Sequence, residues 1–390
     1  MITVENALLH LDLQVIEGSK IHFPVQDAMG LALAEDVYSP INMPPFQQSA
    51  MDGYAIRFNG KSEFELAGEI KAGDNSEPIL GDGMAIRIFT GAPVPKSAQA
   101  VVRQEDTRIE NSMLFVDPLP KPNANIRLMG EQIKAGVLAL KKGHVLNAAS
   151  IGFLATLGIP KVAVYKKPRV SILITGNELV DAGAPLKYGQ IYESNAPMLA
   201  ASLYQQGITK VEIHRVRDDF QSTKELLNSI LQNSDVVICS GGISVGDYDF
   251  VGRALKELGV DEVFYKVQQK PGKPLFFGKK EEKLIFALPG NPAAALTCFY
   301  IYVVKALNLL MGKNPTGLLR TRKNITADFE RKGDRAQFLK AAICGDEVQI
   351  LEGQSSAMLH TFALANALVY VPLDVDGYKK GEQVECILLP

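Results

Sequence analysis

The run Ser240-Gly241-Gly242-Ile243-Ser244-Val245-Gly246-Asp247-Tyr248-Asp249 mixes glycines with hydroxyls and carboxylates. Gly241, Gly242 and Gly246 let the backbone approach a ligand closely. The free N–H groups of such a loop, ahead of a helix, suit phosphate oxygens. Asp247 and Asp249 carry the hard oxygen donors that hold Mg²⁺ on phosphate. The same run also reads as a tight turn followed by a helix capped by Asp249. Two further loops share its texture: Thr175-Gly176-Asn177-Glu178-Leu179 and Pro289-Gly290-Asn291-Pro292. Lys270-Pro271-Gly272-Lys273-Pro274 presents two ammonium groups on a turn stiffened by proline, suited to an anion or simply to solvent. Asp52, in residues 49–55, and Thr90, in residues 89–95, also stand out, although Asp52-Gly53 suits a plain hairpin turn as well.

These loops need a scaffold that gathers them. Each of the three small-residue loops follows a short apolar run, at 170–174, 235–239 and 284–288. In open α/β sheets, ligands bind beyond the carboxyl ends of the strands. Strands are also expected at 210–216, 263–267 and 275–278, with helices at 196–206, 221–232, 249–258 and 292–311. That alternation indicates βαβ units and a mainly parallel sheet. Upstream, Thr3 is placed to cap a helix through Ala7, Leu8, Leu11 and Val15. Residues 25–146 then read as short strands and turns, with a helix at 149–157. After residue 318 the pattern returns to short strands. The expected fold is therefore α/β multidomain: a doubly wound, mainly parallel α/β domain with mostly β N-terminal and C-terminal domains.

Composition narrows the functional classes. The chain has 390 residues, 47% hydrophobic and 22% charged, with a net charge of −2. Near-neutral charge argues against wholesale attraction to nucleic acid or anionic membrane. No apolar run is expected to reach the ~20 residues of a membrane span. No signal peptide is visible at the start, so a cytoplasmic location is expected. Cys239, Cys298, Cys344 and Cys386 are widely spaced, which favours reduced thiols over a zinc site.

Together, residues 49–55, 90–95, 175–179, 189–195 (Gly-Gln-Ile-Tyr-Glu-Ser-Asn), 240–249, 270–274 and 288–292 resemble the MoeA family of molybdopterin molybdenumtransferases, to which the E domain of gephyrin is related. The segments occur in the family's order and span nearly the whole chain. The resemblance implies a molybdopterin-binding type of α/β domain that takes adenylylated molybdopterin and molybdate, and releases AMP and molybdenum cofactor with Mg²⁺. It implies four domains: 1–41 joined with 136–167, then 42–135, 168–315 and 316–390. It also implies a homodimer in which Asp52 and Thr90 of one subunit close the other's cleft, with a molybdopterin adenylyltransferase as possible delivery partner.

Residue roles follow from the same resemblance. Glu178, Asp218 and Asp249 would stand near Mg²⁺ and the pyrophosphate, with Lys266 on the phosphates. Lys270 and Lys273 would attract molybdate, joined by Arg335 and Ser356. Thr175, Gly176, Asn195, Ser240, Gly241, Gly242, Ser244, Gly246, Asp247, Pro289, Gly290, Asn291 and Pro292 would line the nucleotide site. One position departs from the pattern: Gln132 stands where the family usually has an aspartate, and an amide cannot bind a metal as a carboxylate does. Two other readings compete: a molybdopterin adenylyltransferase, which shares the α/β domain but has no use for the Asp52, Thr90 and C-terminal segments, and a gephyrin-like scaffold.

Overall fold

The strand Val170–Thr175 is buried at every position, as befits the interior of a sheet covered by helices on both faces. The structure, a computed structural model, describes residues 1–243 and 250–390. Ser244, Gly246, Asp247 and Asp249, expected at the nucleotide site, lie outside those residues. The chain divides into two compact units: residues 1–21, 30–34 and 164–390 in one, and residues 22–29 and 35–163 in the other.

In the first unit the central sheet runs Val211–Val216, Val170–Thr175, Val236–Ser240, Lys283–Leu288, Phe276–Lys280 and Asp261–Tyr265. The first four strands are parallel and the last two antiparallel to their neighbours. Alternation along the strands serves two cores. Ile172, Ile174, Ile238 and Phe286 face one that includes Leu199 and Leu203 of the helix Asn195–Gln205, and Phe299 and Val303 downstream. Leu173, Val237, Cys239 and Ile285 face the other, with Leu227 and Leu231 of the helix Phe220–Asn233, and Val251 and Leu255. Helices on both faces make the doubly wound arrangement expected.

Three details differ from expectation. The strand anticipated at 263–267 lies instead at Asp261–Tyr265, because Lys266 turns into left-handed backbone at φ 67°. The helix expected over 292–311 is interrupted by a π-helical turn, Phe299–Val303. And Pro292–Leu310 is long and apolar enough to cross a membrane by length and composition; an 18-residue stretch of it has mean hydropathy 1.7 and is 94% buried inside the fold. At the chain start, Val4–Gln14 is helical, and the Thr3 side chain accepts from Asn6 N–H as its cap.

The C-terminal strands close on themselves. Ala336–Cys344 pairs with both Glu347–Ile350 and Ala367–Val371, and the circuit is completed through Arg320–Ile325 and Gln383–Leu388. Closure leaves few unpaired edges. The first two residues of Ala336–Cys344 also pair in parallel with Gln269–Lys270, so this small barrel is stitched to the lysine turn. The second unit is built around a sheet ordered Ala100–Arg103, Gly53–Ile56, Met84–Ile88, Glu63–Ile70, Met113–Val116 and Thr107–Glu110. Its mostly β character matches the alternation read from the sequence.

Candidate functional site

Val170–Thr175, Val236–Ser240 and Lys283–Leu288 are adjacent parallel strands, so their carboxyl-end loops emerge side by side. Between them lies a cleft of about 710 Å³. Its wall includes Thr175, Gly176, Glu178, Asn195, Asp218, Ser240, Gly241, Gly242, Pro289, Gly290, Asn291 and Pro292, all named from sequence. Asn195 opens the helix Asn195–Gln205, and Asn291 immediately precedes the helix beginning at Pro292. Two helix N-termini therefore face one space, which favours anionic ligands.

Asn195 ties the loops together. Its amide nitrogen donates to Ser240 Oγ and to the Gly290 carbonyl, both at 2.8 Å. Among the described residues its Oδ1 is buried without a partner, as are Thr175 Oγ1 and Glu193 Oε2. Buried polar atoms are nearly always bonded, and these three atoms, which have no partner among the described residues, all belong to residues of the cleft wall. The other Glu193 oxygen accepts from Ala196 N–H at 2.8 Å, while Arg215 stands 3.6 Å from Oε2, too far for a hydrogen bond. Glycine is required where the two neighbouring strand ends meet. A Cβ on Gly241 would sit 2.8 Å from the Thr175 carbonyl oxygen, and one on Gly242 2.7 Å from Val251 Cγ2, both at positive φ.

Two carboxylates share the wall. Asp218 Oδ2 accepts from Asn177 N–H at 3.1 Å, and Asn177 Oδ1 accepts from Asp218 N–H at 3.3 Å. The next residue, Asp219, instead accepts from Ser222 and caps the helix Phe220–Asn233. The Ser222 donors hold its carboxyl below the usual carboxylate range. Glu178 lies on the same wall as Asp218 and is exposed. Among the described residues, no group of three or more His, Cys, Asp or Glu side chains is spaced to hold a metal ion; Asp249, the third expected ligand, is not among them.

Lys266, Lys270, Lys273 and Arg335 are not on the cleft wall. Pro274 and Ala357 are on its wall, next in sequence to Lys273 and Ser356. Ser356 Oγ accepts from Asn291 Nδ2 at 3.1 Å, and its carbonyl accepts from Ala294 N–H at 3.2 Å. Arg335 Nη1 reaches the Gln269 carbonyl at 3.5 Å. Lys270 and Lys273 are exposed, and the Lys266 ammonium lies 4.8 Å from the centre of the Tyr265 ring. The lysine turn is fixed from below: Gln269 Nε2 donates to the Pro271 and Gly272 carbonyls at 3.0 and 3.3 Å.

In the second unit, Asp52 Oδ1 accepts from Thr90 N–H at 2.7 Å and from Thr90 Oγ1 at 2.9 Å. Asp52 thus organises a connection between two segments rather than a plain hairpin. Gln132 is exposed, and its neighbour Glu131 accepts from Leu128 N–H at 2.9 Å.

Sequence reasoning assigned no role to Glu193, Gln269 or Lys340. Glu193 lies inside the segment 189–195. Lys340 left a signal of its own, a single cation in the apolar run Phe338-Leu339-Lys340-Ala341-Ala342. Gln269 left none.

Three family descriptions match in succession: the MoeA N-terminal region (domain I and II) over residues 2–158, a probable molybdopterin binding domain over 171–309, and the MoeA C-terminal region (domain IV) over 324–389. The molybdopterin molybdenumtransferase of Staphylococcus epidermidis is 34% identical over 99% of this chain and 95% of its own length. That of Nostoc sp. is 36% identical over 93% of this chain and 87% of its own. The solved molybdopterin biosynthesis moeA protein of Pyrococcus horikoshii superposes with a TM-score of 0.85 at 29% identity, covering 100% of both chains.

Proposed function

The chain belongs to the MoeA family of molybdopterin molybdenumtransferases, and from that premise we propose that it inserts molybdate into adenylylated molybdopterin, releasing AMP and molybdenum cofactor. The observation that carries this reading is the convergence of three strand-end loops and two helix N-termini on one cleft of about 710 Å³. The backbone N–H groups of the loops hold the phosphates. Gly241 and Gly242 admit them without a Cβ in the way. Thr175 Oγ1 and Asn195 Oδ1, buried and without a partner among the described residues, orient the ligand. Lys270, Lys273, Arg335 and Ser356 draw the molybdate dianion to the flank.

Mg²⁺ belongs to this reading. Glu178 and Asp218 supply carboxylates on one wall, and a donor set of one or two carboxylates completed by phosphate oxygens suits that ion. When bound, it neutralises charge on the phosphate oxygens as the link is cleaved. Asp249 is proposed beside these two. The reading further includes the four-domain division, a cytoplasmic homodimer with Asp52 and Thr90 supplied to the partner's cleft, and delivery of substrate by a molybdopterin adenylyltransferase.

The test is direct. Purified protein receives adenylylated molybdopterin, Mg²⁺ and molybdate, and AMP release is followed. Molybdate-dependent release is expected; its absence overturns the proposal. Adenylylation of molybdopterin from ATP would point to the adenylyltransferase instead.

A further inference from the structure

Lys340 lies in the barrel strand Ala336–Cys344 and is only 3% exposed. Its ammonium donates to the carbonyls of Gly353, Ser355 and Met358 at 2.7, 3.2 and 3.0 Å. A lysine has three protons to give, and all three go to one loop. The backbone repeats the attachment: Lys340 N–H donates to Gln354 Oε1 at 2.9 Å, and the Lys340 carbonyl accepts from Gln354 Nε2 at 2.8 Å. Among the described residues no carboxylate pairs with this ammonium. Its acceptors are neutral, and burial pulls its pKa below the usual lysine value.

The clamped loop carries the groups that meet the cleft. Ser356 binds Asn291 and Ala294 at the start of the Pro292 helix, and Ala357 is on the wall. The same strand, four and three residues earlier, pairs Ala336 and Gln337 with Gln269 and Lys270. One strand therefore sets both sides of the anion end, the lysine turn and the Ser356 loop.

We propose that Lys340 is a positioning residue for oxyanion capture: its ammonium folds the 353–358 loop so that Ser356 meets Asn291 of the cleft wall, and the bound oxyanion balances a charge that no carboxylate among the described residues pairs. This rests on the reading of the cleft given above. An unpaired charge in a poorly polarisable interior acts at longer range than one in water, so Lys340 need not touch the anion.

The test compares the full-length protein with Lys340→Met, Lys340→Gln and Lys340→Arg. Equilibrium dialysis against molybdate alone gives the binding constant, and AMP release gives kcat and separate KM values for molybdate and adenylylated molybdopterin. Lys340→Met should raise the molybdate constant and molybdate KM about tenfold, as loss of a charge-assisted contribution predicts. The KM for adenylylated molybdopterin should stay within about twofold, since only the anion end is altered. Lys340→Arg, which keeps charge and donors, should restore molybdate binding to within about threefold. Should Lys340→Met not fold, Lys340→Gln, a neutral donor, should show the same selective loss. Molybdate affinity equal to the parent in the neutral variants overturns the inference, as do two KM values rising together. If the parent binds molybdate and the variants lose it but no AMP is released, the proposed reaction falls and this inference stands. If AMP release depends on molybdate equally in parent and variants, the reverse holds.

Discussion

Tyr302 donates its hydroxyl hydrogen to Gln269 Oε1, beneath the turn that carries Lys270 and Lys273. Both partners are fully buried. Tyr302 sits in the π-helical turn Phe299–Val303, and such turns recur at functional sites. Burial holds the Tyr302 phenol well above its ordinary pKa, so it remains a neutral donor. Because the far end of the Gln269 amide grips the Pro271 and Gly272 carbonyls, the exposed lysines are held in place from the core.

Tyr302→Phe removes the donor and leaves a buried amide oxygen unsatisfied. The cost of such an orphan is about 1–3 kcal/mol, read as a lower urea midpoint. Molybdate KM should rise with it if the lysine turn loosens. An unchanged midpoint would mean that Gln269 finds another donor and that the turn is anchored elsewhere.

Gly272→Ala tests the same anchor from above. Gly272 has φ +86°, and an added Cβ would lie 2.4 Å from Cys298 Sγ and 2.9 Å from Gln269 Nε2. Positive φ costs a non-glycine residue about 1–2 kcal/mol, and the clash adds to it. Combining it with Cys298→Ala removes the sulfur but not the φ penalty. The double variant should therefore be more stable than the sum of the two single changes predicts. Strict additivity in denaturant unfolding would show that the sulfur is not the obstacle.

How much of this was legible beforehand depended on where the information lies. The runs at 170–174 and 284–288 read as buried strands because their apolar residues are continuous, and the loops after them stand out by their glycine and small polar residues. That three of these strands are neighbours, which makes the loops one site, is a matter of long-range pairing. The bond from Asn195 to Ser240 and Gly290 was equally invisible, since its partners lie 45 and 95 residues away. Gln269 resembles any polar residue next to a turn; only the fold buries it. The strand expected at 263–267 moved because Lys266 adopts positive φ, which lysine does not announce. Asp218 and Asp219 look interchangeable in sequence, yet one lines the cleft and the other caps a helix.

Those two aspartates should part experimentally. Asp218→Asn should leave the unfolding midpoint nearly unchanged and lower AMP release on the order of 100-fold, the scale of removing a charged transition-state contact. Asp219→Ala should do the opposite, lowering the midpoint through the lost cap while turnover persists. Because the Asp219 pKa is depressed on folding, its contribution is present above the unfolded carboxylate value and is lost as pH falls through the lower folded value. If Asp218→Asn keeps full turnover, that carboxylate has no part in the site.

Asp52 offers a pH test in the second unit. The Thr90 backbone N–H, then the Thr90 hydroxyl, hold its carboxyl below the usual carboxylate range, with Arg87 adding to the effect. The stabilisation is complete above the ordinary value of about 3.9 and disappears as pH falls through the depressed one. Asp52 is therefore ionised throughout neutral and mildly acidic pH. Thr90→Val removes the hydroxyl but not the backbone donor, so the Asp52 midpoint should rise without reaching the ordinary value. A carboxyl-resolved NMR titration reads this; an ordinary midpoint in the parent protein would contradict the paired geometry.

The four cysteines should separate cleanly towards a thiol reagent. Cys239, Cys298 and Cys386 are buried, whereas Cys344 is exposed at the end of its strand. Burial pushes the Cys239 thiol up to about 12 and the Cys386 thiol to about 11, and raises Cys298 further still. Reaction requires the thiolate and access to it, so three thiols are protected twice over at neutral pH. Native protein should show one fast-reacting thiol of its four, and Cys344→Ser should abolish that phase while leaving AMP release intact. Denaturant should expose the remaining three together. A second fast thiol in the native protein would show that a core opens more readily than its packing implies. Were that thiol Cys298, which lies against Gly272 and Gln269, the anchor of the lysine turn would be the part that opens, and labelling should then raise the molybdate KM.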